Sequence, residues 1–521
     1  MREQNNGSGR FARFAFLCVS GAVCALFFIL FVSGLFWTVH VHVTPAATET
    51  ADITSHHPLS CLLAVCLFAG LLAVLFDRIR KCRVSYKRGL FFSALWFFLA
   101  AAFVVANGLQ QLFDYQTVLQ AAERAASGSY SIMESEYFNS LSYQLPMVFS
   151  MELLVRIFPW IHLNRAIQIL NIFASLVSAW GLAAIASILF NESSARATLV
   201  LFLLSMPSIL YCTFAYGTLF MVCLDVLGAC LFLMYDRENK PLFGVLSALL
   251  VGLACMMKYN GLIFAVAYGI CCALSILERR RILPLVFAVL CFGMTFLCTK
   301  GVIRSYELRS GVRLRGDIST QARLVMGLQE GGPAAGWYNN YILPFFEPDL
   351  SREEERRIVQ ADLENRLTSF RSNPGYTARF FSEKTISQWL DPTYGGVRYG
   401  QMCPHSGNYW QSVWFIYDES GPFYAWLQGY MKLYQMSLYL FAVVGLVKLF
   451  CGRSGSFASS ALLPTAIFGG FLYHLLFEAK SHYVYPYVLY LLPFAGVGLC
   501  SFAGWAGNFG RRLRHGQNEQ R

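Results

Sequence analysis

The chain has 521 residues, of which 56% are hydrophobic and only 14% are charged. Soluble proteins of this length carry about a quarter charged residues, so a water-soluble fold is excluded. The formal net charge is +11, but Lys and Arg cluster in short segments between apolar runs, where they orient membrane helices. Because no stacking aromatic residues are interleaved with a basic groove, we expect no nucleic-acid partner.

Apolar runs long enough to cross a bilayer core recur along the chain. Such a crossing needs about 20 residues, and the runs predict an all-α polytopic membrane protein with about twelve transmembrane helices. The first run lacks a small-x-small cleavage site, which predicts a retained span and not a signal peptide. The predicted spans are residues 12–36, 59–77, 89–109, 163–190, 196–213, 217–235, 241–257, 261–277, 282–302, 431–450, 458–477 and 484–505.

The charges of the connecting loops predict the topology. Arg10 and Arg13 precede the first span, residues 78–88 join the second and third spans, and residues 511–514 close the chain with three arginines. Residues 37–58 contain no Lys or Arg. Since every second loop is basic, the positive-inside rule predicts an even number of spans with both termini cytoplasmic. We expect a multi-pass protein of a bacterial plasma (inner) membrane.

Two predicted exterior segments are too long to be simple connections, and such loops are commonly functional. Within the first, residues 144–160 are apolar but short, and Glu152 and Arg156 lie four positions apart, which predicts a helix in the membrane interface. Within the second, residues 351–380 predict one solvated amphipathic helix. The chain therefore divides into 1–109 (spans one to three), 110–161 (first exterior loop with interfacial helices), 162–303 (spans four to nine), 304–430 (large exterior loop region) and 431–521 (spans ten to twelve and the basic tail).

Candidate functional residues begin directly after the third span with Asp114. An apolar wall can raise the pKa of such a carboxyl and let it accept a proton from a hydroxyl; the alternative is a solvated or helix-capping aspartate. The next segment mixes carboxylates with aromatic rings, which suits a sugar because rings stack on pyranose faces, although an interfacial tyrosine belt explains it equally well. Its candidate residues are Glu134, Glu136, Tyr137 and Gln144.

Further candidates are basic or aromatic. Lys258 lies between two apolar helices on the predicted exterior side, where a phosphate or anionic lipid headgroup would explain a cation, as would simple snorkelling. The segment between the last two spans could hold a phosphate group or form a polar turn; it contains Glu478, Lys480, His482 and Tyr483. The large loop adds three candidates, Arg323, Trp389 and Asp391.

Three motifs follow one another in a recognisable order. Asp114 is followed by Gly128, Tyr130 and Leu145-Pro146; residues 252–258 read Gly-Leu-Ala-x-x-x-Lys; and residues 482–486 read His-Tyr-x-x-Pro. Together they resemble the GT-C superfamily of polytopic glycosyltransferases, which includes protein O-mannosyltransferases and the aminoarabinose transferases of lipid A. The resemblance covers the membrane part and not residues 304–430.

The chain also departs from that superfamily. Many members have an Asp-Glu pair where this chain has Asp114-Tyr115, and Tyr259-Asn260 replaces the usual Gly-Pro after the lysine. Two spans precede the helix that ends near Asp114, so the chain is extended at its N-terminus. A second carboxyl group, if one is used, must come from elsewhere in the chain.

The resemblance implies that a sugar is transferred, with inversion, from a polyprenyl-phosphate donor to a hydroxyl on the exterior face. The implied acceptor is a glycan, a lipid or a protein, and the implied surroundings of the enzyme are membrane lipid. The resemblance also implies Asp114 as general base, with phosphate neutralised by positioned cations. Some members use a divalent metal, and no ligand spacing here requires one. The implied phosphate-binding residues are Lys258, Arg323, Lys480, His482 and Tyr483; the implied substrate contacts are Glu134, Glu136, Tyr137, Gln144, Trp389, Asp391 and Glu478.

Two other functions stay open from the sequence. A polytopic transporter or lipid flippase would place ionisable residues in mid-membrane, and Asp225 is the clearest candidate for that position. A non-catalytic membrane scaffold or polymer-binding protein would work unchanged with asparagine in place of Asp114.

Overall fold

A computed structural model describes residues 7–44, 49–81, 86–347, 349–451 and 456–519. The regular secondary structure of this part of the chain is helical apart from one two-stranded sheet. The α-helices are α1 (Gly7–Phe36), α2 (Pro58–Lys81), α3 (Tyr86–Asn107), α4 (Phe113–Ala126), α5 (Glu136–Ser140), α6 (Leu145–Ile157), α7 (Leu163–Leu189), α8 (Glu192–Leu204), α9 (Met206–Leu210), α10 (Thr218–Glu238), α11 (Pro241–Met257), α12 (Gly261–Arg279), α13 (Leu283–Phe296), α14 (Val302–Ser310), α15 (Thr320–Gly327), α16 (Arg352–Ser372), α17 (Pro374–Trp389), α18 (Gly396–Met402), α19 (Pro422–Cys451), α20 (Phe457–Ser460), α21 (Leu462–Leu476) and α22 (Ser481–Glu519). Short 3-10 segments lie at Ser131–Glu134, Ser142–Gln144, Tyr211–Thr213, Leu343–Phe346 and Trp410–Ile416, and a π-helical turn at Leu297–Gly301.

Nine helices of the described part are long and apolar enough to cross a membrane, and ten if Glu192–Leu204 and Met206–Thr213, bent by 63°, form one broken span. Two further apolar helices, α11 and α21, have 17 and 15 residues. At a rise of about 1.5 Å per residue, they are shorter than a bilayer core of about 30 Å. The protein is therefore a helical membrane protein, and the count of twelve spans stays a prediction.

Residues within 37–58 form a β-hairpin, which the all-α prediction did not include. Strands β1 (Trp37–Val43) and β2 (Glu49–Ser55) pair antiparallel, with Trp37 opposite Ser55. Valine alternates with histidine along residues 39–43 of β1, which favours an extended strand because β-branched side chains fit a pleated surface. Val39 is fully buried, and its N–H donates to the Leu390 carbonyl at 3.2 Å, which docks the hairpin on the large loop region.

The predicted helix over 351–380 is in fact two helices. Ser351 begins α16 with a capping box to Glu354, and the helix ends at Ser372. Pro374 then starts α17, because its ring cannot continue the preceding helix but fits a first turn. The break at Asn373 was readable from the Asn-Pro pair, and it sends α17 back toward the membrane helices.

Helix α6 carries the predicted i,i+4 ion pair. Arg156 donates to Glu152 at 2.9 Å, and Glu152, only 1% exposed, also accepts from Tyr306 at 2.6 Å and Arg309 at 2.7 Å. These bonds tie α6 to α14. With 13 residues, α6 is too short to cross a bilayer, in agreement with an interfacial helix.

We expect Glu152→Ala to destabilise the protein by about 3 kcal/mol, because it leaves two arginines beside a buried site without their acceptor. Thermal unfolding of the purified protein in detergent measures the effect. Glu134→Ala is the matched control, since Glu134 is exposed and makes no ion pair in the described part of the chain. Equal unfolding temperatures for the two variants would contradict this account of α6.

Candidate functional site

A cavity of about 100 Å³, which we call the site cavity, lies where the end of α11, helix α15, the end of α21 and the start of α22 meet. It exceeds the roughly 15 Å³ that one water needs, so it has room for a phosphate-sized group. Five residues singled out from the sequence line it: Gln144, Lys258, Arg323, Glu478 and Tyr483. Distant parts of the chain thus meet at one place.

Lys258 directly follows α11 and is 9% exposed. Its Nζ donates to Thr218 Oγ1 at 2.9 Å and lies 4.9 Å from the ring centre of Tyr216. It has no ion pair in the described part of the chain. Burial lowers the pKa of Lys258 to about 7, because a buried ammonium loses its hydration.

The segment that carries Tyr216 approaches Lys258 closely. Gly217 has φ +69°, and a Cβ there would lie 2.1 Å from the carbonyl oxygen of Met257, so only glycine fits. The preceding backbone is irregular, and side-chain amides of neighbouring elements satisfy its carbonyl groups. These amides are Gln111 and Gln168, which each donate to Thr213 at 3.0 Å, and Asn171, which donates to Phe214 at 2.6 Å.

Arg323 lies on α15, whose first turn is capped by Ser319. Its guanidinium stacks over the ring of Tyr143, at 4.4 Å from the ring centre. Nε and Nη2 are covered by protein and have no hydrogen-bond acceptor, and Arg323 has no ion pair within the described ranges. Lys258 and Arg323, which we call the cation pair, therefore reach one cavity without a carboxylate partner.

Lys384 holds the two sides of this cavity together. It is fully buried on α17, and its Nζ donates to the carbonyl groups of Phe477, at 2.7 Å, and of Gly327. A Cβ at Gly327 would lie 2.3 Å from the backbone of Phe477, so glycine permits this approach. Burial lowers the pKa of Lys384 to about 7. Lys384 was not among the residues singled out from the sequence; it lies just after the amphipathic helix predicted over 351–380.

Glu478 and Tyr483 form the acidic side of the cavity. The Tyr483 hydroxyl donates to Glu478 Oε1 at 3.2 Å, and the Tyr483 ring stacks on His474 with centres 5.3 Å apart. Burial raises the pKa of Glu478, and the nearby carboxylates of Asp114 and Glu49 raise it further, although Lys480 opposes them. This carboxyl group is therefore biased toward its protonated form.

Asp114 lies in the first turn of α4, whose N-cap position is occupied by Leu112, so Asp114 is not the cap. The side chain of Asp114 is exposed at its surface. The protein around it nevertheless removes part of its hydration, which raises its pKa, whereas the Tyr137 hydroxyl and the charge of Lys480 lower it. Asp114 does not line the site cavity itself. Its charge does act on Tyr143, which lines the cavity. Asp114 is thus linked to the cavity lining through its charge.

The remaining candidates lie outside the cavity lining. Glu134 is exposed and Glu136 half-buried; Trp389 is 1% exposed and packs on Phe27 in the helical core; Asp391 accepts from Thr393 and the Gly395 N–H in a buried turn. His482 packs on Tyr483, with ring centres 4.3 Å apart. Lys480 pairs with Glu49 at 2.7 Å, and Glu49 also pairs with Arg398. A substrate role for these residues stays a prediction.

Most of the aromatic lining was missed by the sequence analysis. The additional lining residues with rings are Tyr143, Tyr216, Tyr259, Tyr473, His474 and Phe477. His474 was detectable, because a histidine inside an apolar run of a membrane helix is costly and commonly functional. The tyrosines carried no such signal, since interfacial tyrosines are frequent in membrane proteins.

No group of three or more His, Cys, Asp or Glu side chains in the described part of the chain could hold a metal ion. Comparison with known proteins finds no matching protein-family model and no matching curated protein. The site cavity therefore combines an ammonium and a guanidinium that have no ion pair in the described part of the chain, one carboxyl group with a raised pKa, Glu478, and a lining of aromatic rings. Asp114, a second carboxyl group with a raised pKa, lies outside this lining.

We expect anion binding in this cavity to weaken as the pH rises above about 7. With a pKa of about 7, about half of Lys258 is neutral at that pH, and a bound anion favours the charged form and raises its pKa. The contribution of Lys258 is complete below pH 7 and is lost as the pH passes the pKa of the complex. Stabilisation of the protein against heat by sodium sulfate, whose charge is constant here, measures this loss.

Lys258→Arg is the matched control, because guanidinium stays charged throughout the range. Its sulfate stabilisation should be flatter between pH 6 and pH 9 than that of the wild-type protein. The same pH dependence in both proteins would show that Lys258 does not bind the anion.

Proposed function

We propose that this chain is a membrane glycosyltransferase of the GT-C type. It moves a sugar from a polyprenyl-phosphate donor to an acceptor hydroxyl on the exterior face and inverts the anomeric carbon. The observation that carries the proposal is the cation pair, Lys258 and Arg323, which lines one cavity without a carboxylate partner. Buried charges are normally paired, so an anionic ligand is the missing partner.

A phosphate group fits this pair on chemical grounds. A guanidinium offers a planar fork of donors to phosphate oxygens, and an ammonium adds a compact positive charge. When the bond from the anomeric carbon to the phosphate oxygen breaks, negative charge grows on the departing phosphate. Positioned cations stabilise that charge most where water is excluded.

A sugar fits the aromatic lining. The ring of Tyr259 lies 5.4 Å from that of Tyr143, which itself carries Arg323 over its face. Tyr216 lies under Lys258 and stacks on a neighbouring tyrosine ring of α4, with ring centres 4.1 Å apart. Because these ring faces already carry a cation or another ring, the tyrosines offer a sugar their edges and hydroxyl groups. Gln144, whose amide donates to the Tyr216 hydroxyl, adds a polar group beside them.

Asp114 supplies the base in this proposal. Its carboxylate accepts the proton of the acceptor hydroxyl, whose oxygen forms the new bond to the anomeric carbon on the face opposite the phosphate. The bond to phosphate breaks, and the bonding electrons leave with the phosphate. A general base works best when its pKa lies near the operating pH, and the raised pKa of Asp114 is a shift in that direction. The side chain of Asp114 is also exposed, so an acceptor can reach it.

The location agrees with a lipid-linked donor. The cavity lies at the ends of apolar helices, and a polyprenyl carrier keeps its chain in the bilayer and presents its phosphate at the interface. The loop charges predict that this side faces the exterior.

The transporter or flippase alternative has less support. Asp225 is fully buried within α10 and accepts a hydrogen bond from Tyr490 of α22 at 2.8 Å. It does not line the site cavity, so its contacts fit a link between two helices. A flippase would also bind a lipid phosphate, and sugar transfer is the measurement that separates the two functions.

We expect Asp114→Asn to lower sugar transfer by at least about 100-fold, since a general base contributes that much or more. The assay uses purified protein in lipid nanodiscs with a radiolabelled polyprenyl-phosphate sugar, and follows the label into the acceptor fraction of the membrane extract. Donor binding should persist, because asparagine has nearly the size and shape of aspartate.

The matched control is Glu123→Gln, which changes an exposed carboxylate on the same helix α4. This variant should transfer sugar at the wild-type rate. Normal transfer by Asp114→Asn would remove Asp114 from the mechanism, and no transfer by the wild-type protein with any polyprenyl-phosphate sugar would refute the proposed function.

A further inference from the structure

Glu478 presents an electrostatic problem at a phosphate site. It lines the same cavity as the cation pair, yet it forms an ion pair with neither cation in the described part of the chain. The lysine of its own loop, Lys480, is instead paired with Glu49 at 2.7 Å. An ionised carboxylate at this position would repel a phosphate and weaken the binding that Lys258 and Arg323 provide.

The surroundings of Glu478 shift its protonation equilibrium toward the neutral form. Burial raises its pKa, and the charges of Asp114 and Glu49 act in the same direction, whereas Lys480 and the Tyr483 hydroxyl oppose them. A neutral carboxyl group carries one O–H donor, and a carboxyl group kept protonated by its site can serve as such a donor.

The loop that carries Glu478 is held in place by backbone contacts on both sides. Lys384 donates to the carbonyl of Phe477 at 2.7 Å, and the N–H of Ala479 donates to the carbonyl of Gly336 at 2.8 Å. The Glu478 carbonyl lies 3.3 Å from Nδ1 of the histidine at the end of α21. Oε1 already accepts from the Tyr483 hydroxyl, so the proton belongs on Oε2, which has no partner assigned within the described ranges.

We propose that Glu478 remains protonated and donates a hydrogen bond from Oε2 to an oxygen of the phosphate group bound by Lys258 and Arg323. This inference rests on the phosphate ligand of the proposed function but does not require sugar transfer. Glu478 is then the second carboxyl group of the site, in addition to Asp114. It comes from the loop before α22, whereas the Asp-Glu pair of many GT-C members would place it at position 115. The two carboxyl groups then have separate tasks, one as base and one as donor.

Other titratable groups act on Glu478 and enter any pH profile. They are Asp114 on α4, Tyr143 beside it, Glu49 on β2, Tyr338 of the large loop, Lys384 on α17, Tyr473 and His474 on α21, and Lys480 and Tyr483 at the start of α22, with the cation pair across the cavity. A test must therefore separate Glu478 from Lys258, whose titration also weakens anion binding as the pH rises.

The experiment uses the full chain in nanodiscs and measures the dissociation constant of farnesyl phosphate, a short unglycosylated prenyl phosphate, from pH 5 to pH 9. The background is Lys258→Arg, in which the cation stays charged. We expect binding to weaken as the pH rises through the pKa of Glu478. With Glu478→Gln added, the weakening should disappear, because the amide stays neutral and still donates. Titration of the ligand is common to both proteins and cancels in the ratio of their constants.

Two further variants complete the test. Glu478→Ala, which cannot donate, should bind farnesyl phosphate about tenfold more weakly at low pH. Tyr483→Phe keeps the ring on His474 but removes the hydrogen bond that lowers the pKa of Glu478, so the weakening should move to higher pH. If Glu478 had only a structural role, Glu478→Ala would not weaken binding selectively at low pH. Tyr483→Phe would then not move the loss of binding to higher pH.

The outcomes separate the inference from the proposed function. If farnesyl phosphate binds as expected but no sugar is transferred, the inference holds and the glycosyltransferase proposal fails. If the wild-type protein transfers sugar but Glu478→Gln leaves the pH profile unchanged or binds as weakly as Glu478→Ala, the inference is wrong and the function stands. If farnesyl phosphate does not bind at all, the inference is wrong, and the sugar-transfer assay alone decides the proposed function.

Discussion

The site depends on two positive charges, those of Lys258 and Arg323, which are largely covered by protein and have no carboxylate partner in the described part of the chain. Removing an ammonium or a guanidinium from water costs several kcal/mol unless a partner compensates. Here Lys258 has a hydroxyl and aromatic rings, and Arg323 has a tyrosine face, but neither has a carboxylate in the described part of the chain. Cation–π contacts, each about 1 to 2 kcal/mol when desolvated, offset part of that cost. Deprotonation of Lys258, whose pKa burial lowers to about 7, relieves part of the rest, and the anion of the proposed function would offset it in the charged form.

The scaffold keeps the cations in place without neutralising them. Lys384 directs its own hydrogen bonds to the carbonyl groups of Phe477 and Gly327, and so joins α15 to the loop before α22. Two glycines allow the close backbone approaches, at Gly217 and Gly327. The site is thus built from polar contacts to backbone, which carry no net negative charge and leave the cation pair available to a ligand.

Much of the fold could be read from the sequence, because hydropathy and loop charge act over whole helices. Each predicted span overlaps helical residues of the described part, although α11 and α21 are short and the span predicted at 196–213 is divided between α8 and α9. Lys258 was detectable because a lysine at that place violates a charge rule. The strand pair of β1 and β2 was missed because a short alternating run between two long spans looks like a connection. The pairing of Lys480 with Glu49 and the tyrosine lining depend on tertiary contacts that no local pattern encodes.

The irregular backbone between α9 and α10 makes the site cavity depend on residues that do not line it. A chain that leaves helical geometry within a bilayer exposes carbonyl groups that lipid cannot satisfy. The side-chain amides of Gln111 and Gln168 donate to the carbonyl group of Thr213, and that of Asn171 donates to the carbonyl group of Phe214. The irregular segment that these amides support ends at Tyr216. Variation at these three amides would therefore reshape the ligand-binding region from a distance, and loss of function there would not identify a ligand contact.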